Sequence, residues 1–228
     1  SVGNALLITA QKPEATKLAD SKSWRENGVY IKKGEVGIVL LEPGEEFTKE
    51  DGSVGVSYNS KKVFDISQTN AKPKDRGNVR RDDRLLLKAL IHNAPCPIKI
   101  SQEMPEGINA VYRPQDKMIF VRGGLEAPDL FRGLSQELAH AHLDKGDYKR
   151  SDNAFVAYCA SYVLCSRNNL PKDMFRFDRL PENMSTMDAR SVRTELSKIR
   201  DVANVISADM AKVLDKNRQP VERRDEAR

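Results

Sequence analysis

Leu134 to Tyr148 reads LSQELAHAHLDKGDY. With histidine in place of Gln136 it would contain H-E-x-x-H, in which two imidazoles one helical turn apart hold zinc and the glutamate activates a metal-bound water. At about 100° per residue, Leu130, Leu134, Leu138 and Ala141 share one side of a helix, with Phe131 at its edge. Gly133, Gln136, Glu137, His140 and Asp144 share the other. His142 stands about 200° round from His140 and cannot supply the missing imidazole. A glutamine oxygen is a poor zinc ligand beside thiolate, imidazole or carboxylate. The stretch is therefore either an ordinary amphipathic helix or a metal helix that has lost a ligand. Glu137 and His140, at i and i+3, are predicted to hydrogen-bond each other, with Gln136 adding an amide partner.

Outward from this stretch, the pattern predicts a helix over 81–92 with Leu85, Leu86, Ala89 and Leu90 inward, ended by Pro95 and Pro97. Strands at 98–101, 108–113 and 118–121 follow, the last two joined by a PQDK turn. Helices are predicted at 127–143, 152–168 and 187–214. The last carries Val192, Leu196, Ile199, Val202, Ile206, Met210 and Val213 at three- and four-residue spacing, one apolar stripe.

Upstream, NALLITAQ reads as a short helix stopped by Pro13. Strands are expected at 29–31 and 36–41, with Lys32 and Lys33 at the bend between them. GVSYNSKKVFDIS is expected to supply a further strand pair. QTNAKPKDRGNVRRDD, residues 68–83, is polar and carries Pro and Gly, the composition of a linker. The organisation expected is a lobe over 1–70, a linker over 71–83, a second lobe over 84–217 and a charged tail over 218–228.

The composition excludes several classes. Of 228 residues, 31% are charged and 39% hydrophobic, the balance of a globular protein, and the net charge of +5 permits nucleic-acid binding without demanding it. No apolar run is long enough to span a membrane, so no membrane partner is expected. The first residues lack a secretory pattern. Cys96, Cys159 and Cys165 form no C-x-x-C pair, which points to a reduced, cytoplasmic chain with buried thiols.

Two further runs carry a family resemblance. The segment NALLITAQKPEATKLADSKSWRENGVYIKKGEVGIVLLEP, with VFDISQT closing it, resembles the N-terminal single-stranded-DNA-binding domain of ArdC-type antirestriction proteins. Helix, short strands, the E-L-A-H helix and the AYCASYVLC helix resemble that family's zincin-like domain. The resemblance covers most of residues 3–215 and implies an α+β fold. A small mixed N-terminal lobe would precede a zincin-like lobe of one helix, short antiparallel strands, the E-L-A-H helix and two further helices. It also implies a mobile-element origin, on a conjugative transposon or plasmid. Such proteins usually carry a further helix upstream, so a fragment or a shortened member is expected.

The family's metal ligands map onto Gln136, His140 and, for the third, a position on or near Tyr158, with Asp152 and Asn153 the nearby polar alternatives. Two of three ligands are thus lost. The resemblance therefore implies a pseudo-metallopeptidase with no cofactor; if the site works after all, zinc is the cofactor and Glu137 the general base. For single-stranded DNA the candidates are Lys12, Lys17, Trp24, Arg25, Tyr30, Lys32 and Lys33, positive charge interleaved with rings. Lys61, Lys62, Lys72, Lys74, Arg76, Arg80 and Arg81 extend the basic surface. A third reading is a protein-binding module using the 187–214 helix and the loop MFRFDRLPENM.

Overall fold

The computed structural model of the chain describes residues 1–71 and 82–216, which fall into two compact units, within Ser1–Arg76 and within Gly77–Arg228. The basic linker residues Lys72, Lys74, Arg76, Arg80 and Arg81 and the 218–228 tail lie outside the described residues. Gln68 and Thr69, read as the start of the linker, are buried in the first unit.

The first unit runs α1 (Val2–Gln11), β1 (Leu18–Ala19), α2 (Ser21–Glu26), β2 (Ile38–Thr48) and β3 (Val54–Asp65). The strands form an antiparallel sheet in the order β1-β3-β2. β2 and β3 make a long hairpin whose turn passes through Gly52 at φ +79, a left-handed conformation that glycine adopts without Cβ strain. The β2–β3 register shifts between Pro43 and Glu46, where proline has no N–H to give the ladder.

Two strand expectations are corrected. GVSYNSKKVFDIS is one strand, not a pair: the turn-like Asn59 and Ser60 pair with Glu42 and Leu41 across the ladder, so tertiary pairing overrides local preference. Residues 29–31 contribute only the bridge Ile31–Thr69. Gly28 and Gly34, both at positive φ, turn the chain on either side of this segment.

The apolar core of this unit is small: Trp24, Ile38 and Val63 are buried. Side-chain amides supplement it. Asn4 accepts from the Leu41 amide at 2.9 Å and donates to the Leu41 carbonyl at 2.8 Å. Gln11 repeats the exchange with Val39 at 2.9 Å in both directions. Two carboxamides on one face of α1 thus occupy edge groups of β2 that a neighbouring strand would otherwise take. Asp65, fully buried, accepts from the amides of Thr16, Lys17 and Ser67. Burial raises its pKa, yet these bonds, that to Ser67 foremost, bring the carboxyl well below the usual range.

The second unit comprises α3 (Asp83–Ile91), β4 (Ile98–Ser101), β5 (Ala110–Arg113), β6 (Met118–Arg122), α4 (Ala127–Leu143), α5 (Arg150–Arg167), the short α6 (Glu182–Ser185) and α7 (Ala189–Leu214). Its sheet order is β4-β6-β5. The expected antiparallel pairing holds for β5 and β6, whereas β4 lies parallel to β6, with Ile98 opposite Ile119. The parallel pair arises because β4 reaches β6 by way of β5 rather than through a hairpin. In α7 the lower part of the stripe, Ile199 to Val213, is buried, while Val192 and Leu196 are only half-buried. Ala157, Ala160 and Ala203 have no exposed surface, and these small side chains let α5 and α7 approach closely.

α4 is buried around most of its circumference. Phe131, Leu134 and Leu138 face the apolar core, and Ser135, Glu137 and His140 on other faces are equally buried. Gly133 lets the helix press on β5: a Cβ there would meet Asn109 Cβ at 3.3 Å and Ala110 Cβ at 3.6 Å. The polar face predicted from periodicity is therefore an interior surface.

Candidate functional site

A buried carboxylate needs a partner, because desolvating it alone is costly. Glu137 is 3% exposed and finds its partner at the first residue of α5. Arg150 donates from Nη1 to Oε2 and from Nη2 to Oε1, both at 2.7 Å, a bidentate pair. The Tyr112 amide on β5 adds a third bond to Oε2 at 2.7 Å.

The turn after α4 brings Arg150 into reach. Asp144 accepts from the Tyr112 hydroxyl at 2.8 Å, from Lys117 at 2.6 Å and from the Gly146 amide at 3.0 Å. The Lys117 bond outweighs burial and holds its carboxyl below the usual range. Gly146, at φ +130, lets the chain reverse. Tyr148 then stands edge-on to Tyr112 and to His140, at centroid distances of 6.0 and 5.9 Å.

His140 has no exposed surface. Its Nδ1 bonds the Tyr148 hydroxyl. Its Nε2 has no hydrogen-bond partner among the described residues. Burial, with the Arg150 charge second, pushes its pKa down to about 3, so the ring is neutral at physiological pH. Burial likewise pushes the Tyr148 hydroxyl up to about 12.

The predicted Glu137–His140–Gln136 hydrogen-bond network is thus corrected. Glu137 turns to Arg150 and Tyr112, and His140 to Tyr148, because a guanidinium satisfies a buried carboxylate better than a neutral ring or amide. Gln136 lines a cleft of about 290 Å³ together with Asn109, Arg132, Glu137 and Arg150. Tyr158 lies further along α5: its hydroxyl accepts from the Arg176 amide at 2.6 Å, and its ring packs against Phe175 and Phe177. Asp152 is exposed next to Ser151, and Asn153 donates back to the Lys149 carbonyl. Among the described residues no three His, Cys, Asp or Glu side chains gather as a metal-ligand group. Nor do Gln136, His140 and Tyr158 furnish one, since an amide, an imidazole and a phenol engaged elsewhere are not a divalent-cation set. Arg150, Tyr148 and Tyr112 were missed in the sequence. Spacing gave no signal for them, because it places Glu137 on the polar side of α4 and does not show what covers that side.

The nucleic-acid candidates fall into separate local settings. Trp24 is 3% exposed and its Nε1 donates to the Phe64 carbonyl at 2.9 Å, so it is core and cannot stack on a base. Lys17 sits over its ring, 5.5 Å from the centroid. Lys12 pairs with Glu14 at 2.8 Å, and that bond raises its pKa. Lys32 donates to the Ser67 carbonyl at 3.0 Å. Arg25 and Lys33 are exposed, and Tyr30, 58% exposed, is a ring open to solvent. Of the three thiols only Cys165 is fully buried; Cys96 and Cys159 are half-buried. Burial pushes Cys159 and Cys165 up to about 11, which keeps them as unreactive thiols. No helix among the described residues is long and apolar enough to cross a membrane.

These two units, a hairpin-bearing lobe and a helical lobe around a small mixed sheet, define an α+β protein with the ArdC fold. The chain is similar to the crystal structure of the antirestriction ArdC protein from the R388 plasmid in its metal-free form, with a TM-score of 0.60 and 19% identity, over 92% of this chain and 83% of that one. It is similar also to the Mn(II)-bound structure of that protein, with a TM-score of 0.58 and 19% identity, over 92% and 87%. At such identity the likeness is one of fold. No family model matches the chain, and no curated protein matches its sequence.

Proposed function

We infer that the chain is a DNA-associated, antirestriction-type protein of a mobile genetic element, acting in the cytoplasm. Its first unit engages single-stranded DNA, and its second is a zincin-like scaffold without peptidase activity. The observation that carries this reading is the ArdC fold across 92% of the chain, joined to a Glu137 whose carboxylate is held by Arg150. A general base must reach a metal-bound water, and a carboxylate clamped by a guanidinium and an amide is poorly placed to do so. The similar ArdC protein is known in an Mn(II)-bound form, and this chain departs from it in function if it works without the ion.

The DNA contact is assigned to Lys17, Arg25, Tyr30, Lys32 and Lys33, the exposed members of the predicted set. Fluorescence anisotropy with a labelled oligonucleotide at two salt concentrations tests it. Salt-dependent binding at micromolar protein is expected, and its absence removes the DNA reading.

A second reading draws on the loop before α6. Met174, Phe177 and Leu180 are exposed there, which suits a protein partner. A partner that co-purifies through high salt and nuclease, and is lost on Phe177→Ser with Leu180→Ser, would favour it.

A further inference from the structure

The positive charge at Glu137 already belongs to the chain. A carboxylate offers about four lone-pair positions. Arg150 fills one on each oxygen, and the Tyr112 amide takes another on Oε2. A divalent ion bound beside Glu137, or polarising a water for it, would have to displace the guanidinium or lie against its charge. Like charges repel strongly where water is partly excluded.

The arginine is not a loose surface group. It begins α5, and the Asp144 turn and the Tyr148 ring fix the approach of that helix. His140 supplies a second, independent sign. It is wholly buried, one ring nitrogen is taken by Tyr148, and Nε2 has no partner among the described residues. Orphaned buried nitrogens are rare because each carries an unmet desolvation cost. A ligand nitrogen whose ion has been superseded would stand in this state.

We propose that Arg150 is the resident cation of this cluster, a tethered guanidinium in the place of a divalent metal, and that it closes the site to metals while the Glu137–Arg150 pair is intact. Loss of an imidazole at Gln136 is then only half of the change. Restoring that imidazole alone would leave the charge in place. The inference deepens the reading of the second unit as non-catalytic and is independent of DNA binding, since no residue of the first unit enters it.

The test titrates Mn(II) and Zn(II) into three metal-stripped full-length chains: wild type, Gln136→His, and Gln136→His with Arg150→Met. Bound metal is counted by electron paramagnetic resonance for Mn(II) and by elemental analysis for zinc, and melting temperature is followed with and without ion. Wild type and Gln136→His should take up no stoichiometric metal. The double variant should bind about one ion per chain, at least about tenfold more tightly than wild type, with a metal-dependent rise in melting temperature. If Arg150→Met does not fold, Arg150→Gln in the same background keeps an N–H toward Glu137 without the charge and should give the same gain. One ion per chain in the wild type overturns the proposal. So does metal uptake by Gln136→His equal to that of the double variant, or a folded double variant that binds no better than wild type. A DNA-binding failure leaves all of these readouts unchanged.

Discussion

Arg150 and Glu137 are joined at 2.7 Å through both carboxylate oxygens, thirteen residues apart across the turn between α4 and α5. The carboxylate is 3% exposed but the arginine 42%, so solvent screens one side of the pair. Truncating one partner of a fully buried pair costs about 3–5 kcal/mol. Arg150→Ala should therefore cost less, about 2 kcal/mol after screening. Urea denaturation of Glu137→Gln, of Arg150→Met and of the two combined measures the coupling. The double variant should be less destabilised than the sum of the singles by about 1 kcal/mol. Simple additivity would mean that the pair contributes nothing.

His140 makes stability fall on the acid side. Its folded pKa, about 3, lies below the ordinary 6.5, so the unfolded chain binds a proton that the native site refuses. The contribution is fully present above pH 6.5 and drains away as pH falls toward the folded value. The depressed pKa of half-buried His142 acts in the same direction. Between pH 6.5 and about pH 5, before carboxylates protonate, His140 alone should cost up to about 2 kcal/mol at 1.36 kcal/mol per unit. The denaturation midpoint measured across this window should slope for wild type and slope less for His140→Gln, the remainder belonging to His142. An unchanged slope in the variant would place the titration elsewhere.

The elements of the second unit were legible because each carries its own period. The α4 bounds and the α7 stripe follow from spacing alone, and Gln136, Glu137, His140 and Asp144 on one side of the helix announced a polar cluster. What spacing cannot give is what covers a face. Periodicity split α4 into core and polar sides, and the fold buried both, since β5 and the 144–150 turn close over Glu137 and His140. Arg150 was illegible for the same reason: its role depends on a chain reversal at Gly146. The sole tryptophan misled in the opposite sense. Trp24 sits in a basic run that resembles a base-stacking surface, yet a lobe that buries so few large apolar side chains needs its one indole for the core. The parallel setting of β4 was hidden too, because strand patterns carry no direction.

Asn4 and Gln11 lie in the run NALLITAQ that carried the family resemblance, and their placement gives that run a physical reason. Each carboxamide replaces a strand partner along β2, while α1 itself has no fully buried residue. The helix is thus held largely through polar exchange. Replacing both by alanine removes the four hydrogen bonds to β2, at about 1 kcal/mol or less each in this exposed setting. Hydrogen exchange should accelerate at the Val39 and Leu41 amides in that variant, with protection in α4 and α5 retained. Unchanged protection at both amides would show that α1 is held by other means.

Separating Trp24 from the exposed basic residues distinguishes stability from binding. Trp24→Phe keeps most of the packing but leaves the Phe64 carbonyl without its donor, so the first unit should lose about 1 kcal/mol or more. Affinity for single-stranded DNA should not change at a temperature where the variant is folded, because the indole is not at the surface. Arg25→Ala and Lys33→Ala should do the reverse. Each removes a solvated charge at little cost in stability. If the residue meets a phosphate, each also lowers the slope of log affinity against log salt by about 0.7. Anisotropy titrations at several salt concentrations, run beside melting curves, read both quantities. A tryptophan variant that remains folded yet loses binding would return Trp24 to the interface. Alanine variants with an undiminished salt slope would move the DNA contact away from Arg25 and Lys33.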